Sequence, residues 1–250
     1  MLDKILFTVL SIVLTSIFLL SCDSKEEVIV NNIKGLGRIK ETILLVEQSK
    51  KILPPDWDNL RDINTVDPSI QIDLKYATTD NFMHRVLYDT LTRVFLQKDV
   101  ALRLSKCQKF LKGIDSTFSL LVYDGMRPLS VQQEMWDALD TLPFNERIKF
   151  VSNPKNGSIH NYGAAVDLTI VKNGIPLDMG AGYDDMRKIA YPKYESLFLE
   201  NGELTETHIQ NRKLLRNVMK SQGFMNISTE WWHFNAFTRA ESKLKYTIIE

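Results

Sequence analysis

The chain has 250 residues, 44% of them hydrophobic, enough to bury the core of one large domain or two small ones. Lysine plus arginine and aspartate plus glutamate balance at 31 each, so no net field recruits nucleic acid or an acidic membrane surface. With no internal repeat or low-complexity tract, the bulk numbers describe a soluble globular domain.

The N-terminus is more specific. Lys4 precedes a largely apolar run from Ile5 to Leu20, closed by Ser21-Cys22. The run is short for a stop-transfer helix, and its flanks fit a secretory leader over residues 1–21. Leu19-Leu20-Ser21-Cys22 resembles a bacterial lipobox, in which the cysteine takes lipid and becomes the mature N-terminus. The membrane would then be met through that lipid alone, with the domain in the cell envelope as a periplasmic or outer-membrane lipoprotein. The competing reading is an uncleaved anchor with a chance cysteine, and Asp3 beside Lys4 leaves the basic leader weak. With Cys22 lipidated, Cys107 has no disulfide partner. Val100, Leu104, Cys107 and Leu111 recur at helical spacing, so Cys107 reads as a buried small hydrophobe rather than a nucleophile.

Residues 22–50 read as a lipidated tether that opens with the charged Asp23–Glu27. A short helix is predicted over Glu41 to Leu53, stopped by Pro54-Pro55. The folded domain is predicted over 51–250. Within it, Ser69 to Lys75 alternates as a half-buried strand should. Phe95 to Leu111 reads as an amphipathic helix with Asp99 in its early part and Gly113 as its stop. Ser119 to Tyr123 is a short apolar strand ended by the Asp124-Gly125 turn signal. Ser130 to Leu139 opens with Ser130 and Gln133 at capping-box spacing. Ala165 to Val171 is a strand, Asn173-Gly174 a hairpin turn, and Ile175 to Leu177 the return, placed at an edge by Pro176. Ile209 to Gln222 is the last helix, stopped by Gly223. Short strands and helices mixed in this way predict a single α+β domain with a small antiparallel sheet flanked by helices.

Two segments concentrate chemistry-bearing residues. In Ser158–Asp167, His160 lies on a glycine-containing approach to the strand that carries Asp167, and the small residues at 163–165 allow close backbone approach. Asp167 stands between apolar neighbours, where a carboxylate is costly unless paired or metal-bound. The second segment is Glu230-Trp231-Trp232-His233, in which a turn or bulge would aim Glu230 and His233 into one pocket and the tryptophans would wall it. Two imidazoles and a carboxylate fill three positions of a tetrahedral zinc site and leave the fourth for water, with Glu230 free to act as general base. Singly these residues have ordinary readings: a loop histidine, a strand-end acceptor, an aromatic edge strand. Their joint order and spacing favour the metal. The other two histidines, His84 and His208, lack such neighbours and are assigned to the surface.

Ser-x-His-x-x-Gly-x-Ala-x-Asp followed by Glu-x-Trp-His resembles the zinc DD-peptidase group, which shares its fold with the hedgehog signalling domain. Within it the chain is similar to the D-alanyl-D-alanine dipeptidases over roughly Ile63 to Phe234. Three stretches carry the finer likeness: Asp73–Phe82; Tyr123–Pro128, with Met126 where an aromatic is usual; and Met179–Asp184. The resemblance implies one zinc ion on His160, Asp167 and His233, and Glu230 as base. It also implies Arg127 at the scissile carbonyl, Asp184 at the substrate ammonium, Ser158 at the carboxylate and Tyr76 lining the amino end. The activity implied is hydrolysis of D-alanyl-D-alanine to two D-alanines, and the envelope placement read from the leader suggests cell-wall peptide turnover as its setting. The rivals are a carboxypeptidase or endopeptidase acting on peptidoglycan stems, and a non-catalytic, zinc-stabilised binding lipoprotein.

Overall fold

The computed structural model describes residues 57–148 and 150–250, and the unit that carries the site spans Asn59–Glu250. The leader, Cys22, the tether and the helix predicted over 41–53 lie outside the described residues. The architecture is α+β. Strands β1 (Leu60–Asp62), β2 (Gln71–Ile72), β3 (Phe95–Gln97), β4 (Phe118–Asp124), β5 (Ala165–Lys172), β6 (Ile175–Pro176), β7 (Met225–Asn226) and β8 (His233–Asn235) are interleaved with helices. The helices are α1 (Ile63–Val66), α2 (Lys98–Ile114), α3 (Leu129–Ala138), α4 (Phe144–Arg147), α5 (Glu195–Glu200), α6 (Glu206–Lys220) and α7 (Arg239–Lys245). The main sheet runs β2-β4-β5-β8-β7 with β6 on β5, and only the β2–β4 pair is parallel. β1 and β3 form a separate antiparallel pair.

The buried faces of α2 (Val100, Leu104, Cys107, Leu111) and α6 (Leu215, Val218, Met219) belong to the same apolar core as Leu120, Val122, Val166, Leu168 and Ile170 of β4 and β5. Cys107 is fully buried, and burial pushes its thiol up to about 12, so it packs as a hydrophobe and has no reactive thiolate at neutral pH.

Several predicted boundaries change. Phe95–Gln97 is strand rather than the first turn of α2, because these residues pair with Leu60–Asp62, a partner distant in sequence. α2 then runs through Gly113, which faces open space with no left-handed φ and so breaks nothing. Of Ser69 to Lys75 only Gln71–Ile72 pairs. The chain then tightens into a 3-10 turn at Lys75–Ala77, and the Tyr76 carbonyl accepts the amides of Leu87 and Tyr88 at 2.8 and 2.9 Å. The capping box predicted at Ser130 does not form. α3 begins after Pro128, and the amide of Leu129 donates to the Ile249 carbonyl at 2.8 Å. α6 begins three residues before its predicted start, where Thr205 and His208 make a reciprocal capping box. His208 is therefore a half-buried cap that also faces Asp178 at 3.2 Å, not a plain surface residue, whereas His84 is exposed. The hairpin follows the prediction: β6 pairs with β5 alone, as Pro176 requires.

Candidate metal centre and substrate cleft

The site is built on strand register. Asp167 of β5 lies opposite Asp124 of β4 on one side and His233 of β8 on the other, so three strands deliver three polar residues at one level. A bulge in β4 makes this possible: Val122 faces Leu168, but Asp124 rather than Tyr123 faces Asp167.

His160 arrives from outside the sheet, on the 3-10 turn Ile159–Tyr162. Asn161 clamps that turn: its Oδ1 accepts from the Ser158 amide at 2.5 Å, and its Nδ2 donates to the Arg127 carbonyl at 2.8 Å. Gly163 closes the turn at φ 63°, and a Cβ there would lie 2.9 Å from Leu60 Cδ2 and 3.3 Å from the Gln97 nitrogen. Only glycine satisfies both the left-handed φ and the close approach. His233 and Glu230 come together because Asn226 Nδ2 donates to both their carbonyls, at 2.8 and 2.9 Å, and so holds the turn that the sequence required. Of the two tryptophans only Trp232 lines the cleft; Trp231 donates its indole N–H to the Ala181 carbonyl.

Three donor atoms converge. His160 Nε2 and His233 Nδ1 are 3.1 Å apart, and Asp167 Oδ1 is 3.3 Å from the first and 3.0 Å from the second. A tetrahedral zinc with ligands at roughly 2.0–2.2 Å sets its donors about 3.3 Å apart. The remaining ring nitrogens fix the tautomers. His160 Nδ1 donates to the Gly125 carbonyl at 2.7 Å, and His233 Nε2 donates to Asn235 Oδ1 at 2.8 Å. With both rings neutral, the facing nitrogens then carry lone pairs, an arrangement that repels unless a metal ion or a proton stands between them. Burial opposes a charge on His233, yet the hydrogen bond and charge of Asp167 pull its imidazole up to about 9. Burial would likewise raise Asp167, but His160 and then His233 hold its carboxyl well below the usual range. The donor set fits zinc, with both histidines braced from behind and the Asp167 carboxylate braced by the Tyr183 hydroxyl at 3.1 Å.

Around this centre lie the other predicted residues. Arg127 is buried, donating Nε and Nη2 to Asp124 Oδ2 at 3.1 and 2.7 Å and Nη1 to Gln132 at 3.0 Å. Its guanidinium lies over the Tyr76 ring, 4.9 Å from the centroid. Met126, the departure from the aromatic usual there, is buried and leaves Arg127 in the cleft. Glu230 opens onto the cleft with Oε2 3.9 Å from His233 Nδ1, and burial raises its pKa. Asp184 accepts from the Tyr76 hydroxyl at 3.2 Å and the Phe82 amide at 3.4 Å. Burial, then the charge of Asp167, raises its pKa well above the ordinary value. Asp185 is instead taken by Arg187 at 2.6 Å. Ser158 lines the same cleft, its Oγ accepting the His160 amide at 3.4 Å. Cys22 lies outside the described residues.

Sequence reasoning misses the residues that hold these groups: Asp124, Gln132, Tyr183, Asn226 and Asn235. Asp124 has a usable signal, since it follows an apolar strand as Asp167 sits within one, but beside Gly125 it reads only as a turn former. It is fully buried and also accepts the Tyr88 hydroxyl at 2.7 Å.

Residues 57–248 match the family described as D-ala-D-ala dipeptidase, Peptidase_M15. A D-alanyl-D-alanine dipeptidase of Escherichia coli (strain K12) is 33% identical over 180 residues, covering 72% of this chain and 85% of the relative. One from Enterococcus faecalis is 31% identical, covering 66% and 85%, and one from Synechocystis 29%, covering 56% and 68%. A solved vancomycin resistance D,D-pentapeptidase, VanY, aligns with TM-score 0.36 and 15% identity over 62% of this chain and 79% of that one.

Proposed function

The chain belongs to the D-Ala-D-Ala dipeptidase family, and from that premise we propose that it hydrolyses D-alanyl-D-alanine to two D-alanines with zinc held by His160, Asp167 and His233. The observation that carries the reading is the convergence of three donor atoms whose lone pairs are fixed from behind. Zinc, when bound, supplies Lewis acidity, making water acidic enough to lose a proton near neutral pH and polarising a carbonyl.

The chain's own residues divide the remaining work. Glu230 takes the proton of the attacking water, and its burial-raised proton affinity suits a base that must act near neutral pH. It then returns that proton to the leaving amine. Arg127, fixed by Asp124 and Gln132, faces the carbonyl oxygen as negative charge grows there, and needs no reorganisation at that moment. Asp184 pairs with the substrate ammonium, Tyr76 lines that end with its hydroxyl on Asp184, and Ser158 meets the carboxylate. An N-acylated peptide brings no ammonium and leaves Asp184 buried without its partner, which disfavours intact stem peptides.

The test gives purified protein D-Ala-D-Ala and its N-acetyl derivative, with and without chelator, and measures zinc on the same sample. Chelator-sensitive release of D-alanine from the free dipeptide is expected. Faster cleavage of the acetylated compound would remove the specificity claim, and activity without metal would remove the zinc site.

Cell-envelope placement is part of the same proposal. The apolar run Ile5–Leu20 and the Leu-Leu-Ser-Cys ending support cleavage after residue 21 and lipidation of Cys22, with recovery of the dipeptide from cell-wall turnover as the role. Fatty-acid labelling that persists in Cys22→Ala would refute the anchor.

A further inference from the structure

The cleft contains a second arginine with no assigned task. Arg127 and Arg239 both line it. Arg127 is neutralised by Asp124 at 2.7 Å, whereas among the described residues no carboxylate pairs with Arg239. Arg239 donates through Nη1 alone, to the carbonyls of Asn156 (3.1 Å) and Gly157. Its Nε and Nη2 have no protein partner among the described residues. The nearest acid in sequence, Glu241, is committed elsewhere: its Oε2 accepts both the amide and the hydroxyl of Thr238 at 2.8 Å.

Placement gives this cation a direction. Gly157 directly precedes Ser158, so the guanidinium is latched beside the residue proposed to meet the substrate carboxylate. Asp184, proposed for the ammonium, is held by Tyr76 and Phe82, on a different stretch of the cleft wall. A zwitterionic dipeptide has the same polarity as a cleft with an acid at one stretch and a half-satisfied guanidinium at another. A neutral hydroxyl alone leaves a desolvated carboxylate largely uncompensated, while a guanidinium presents two parallel donors in the geometry a carboxylate accepts. The latch to Asn156 and Gly157 restrains the fork before substrate arrives, which reduces the entropy lost on pairing.

We propose that Arg239 is a specificity residue that takes the free C-terminal carboxylate of the substrate beside Ser158. The inference rests on the dipeptidase reading and extends it, because it makes the cleft demand a free carboxyl end as well as a free amine.

The test measures kcat and KM on D-Ala-D-Ala and on its C-terminal carboxamide for wild type, Arg239→Ala and Arg239→Lys. Wild type is expected to favour the acid. Arg239→Ala is expected to raise KM for the acid between about tenfold and a hundredfold, the worth of a charged hydrogen bond, with little change for the amide. Arg239→Lys restores part of the preference. A latch that merely shapes the Asn156–Ser158 loop would lower both substrates alike, so an unchanged acid-to-amide ratio in Arg239→Ala overturns the proposal. Should wild type cleave neither compound, the dipeptidase reading fails by itself. Calorimetric dissociation constants of the two compounds, measured in a Glu230→Gln background, then decide Arg239 by the same ratio.

Discussion

Replacing Asp124 by Asn tests whether charge, rather than shape, fixes Arg127. The substitution is isosteric, and the hydrogen-bond network can re-form. The amide oxygen accepts from Arg127 Nε and Nη2, now at 3.1 and 2.7 Å from Asp124 Oδ2, and the amide nitrogen donates to the Tyr88 hydroxyl, now 2.7 Å from Oδ1. What is lost is the counter-charge of a buried guanidinium. Breaking a buried pair costs about 3–5 kcal/mol, and retention of the hydrogen bonds argues for the lower end, about 3 kcal/mol. For a domain of this size that lowers Tm by about 6–12 °C. The next carboxylate is Asp167, whose Oδ2 lies 4.0 Å from Arg127 Nη2. The guanidinium, left without its counter-charge, is drawn toward it and competes with the metal centre. Asp124→Asn should therefore lose zinc affinity and turnover together, by about tenfold or more, as for other residues that orient a ligand shell. Thermal unfolding, zinc titration and dipeptide hydrolysis check the three effects. A variant melting within about 2 °C of wild type (about 0.5–1 kcal/mol) with full activity would refute the assignment of Asp124 as the anchor of Arg127.

Glu230→Gln should lose about 10²–10⁴-fold in turnover while binding zinc stoichiometrically, because the base is separate from the three donors. Wild-type turnover in that variant would move the base elsewhere. Asp184→Asn should raise KM and also stabilise the free protein at neutral pH. The folded pKa of Asp184 lies above its unfolded value. Its contribution is therefore fully present below the ordinary carboxylate pKa and lost as pH rises through the folded pKa. The Tm advantage of the Asp184→Asn variant over wild type should be seen near neutral pH and vanish below the ordinary carboxylate range, and a constant difference would disprove the linkage. Gly163→Ala should cost about 1–2 kcal/mol from the left-handed φ alone, with the approach to Leu60 and Gln97 adding to it. A circular-dichroism melt unchanged from wild type would show that the turn relaxes freely.

What is local is legible in the sequence. His160, Gly163 and Asp167 lie within eight positions, and Glu230 and His233 within four, so each half of the site carries its own pattern. β5 is readable from its apolar run and the Asn173-Gly174 turn, and β6 from Pro176. What escapes is non-local. Phe95–Gln97 has helix-compatible spacing, and only pairing with Leu60–Asp62 makes it a strand. The tasks of Asn226, Asn235 and Asp124 depend on which residues stand opposite them across β4, β5 and β8. No window of sequence contains that register. His208 reads as a surface residue because its capping partner, Thr205, precedes the apolar periodicity that defines the helix.

The same register explains how one cleft can hold so much negative charge. Asp167, Asp184 and Glu230 line it and Asp124 lies buried behind it, and burial first, then the charge of Asp167, raises the proton affinity of both Asp184 and Glu230. Asp124 is answered by Arg127, and Asp167 faces the two imidazole nitrogens where a cation is required. That leaves Asp184 with no ion-paired cation among the described residues and Glu230 facing only His233, 3.9 Å away, while Arg239 is latched to the carbonyls of Asn156 and Gly157. On the proposed reading, a free ammonium would satisfy Asp184 directly, and a proton taken from water would satisfy Glu230 during turnover. On that reading, selectivity for an unblocked amine and readiness to accept a proton thus share two causes, burial and the nearby charge of Asp167. It follows that a substitution neutralising Asp167 would damage both at once, even where neither Asp184 nor Glu230 moves.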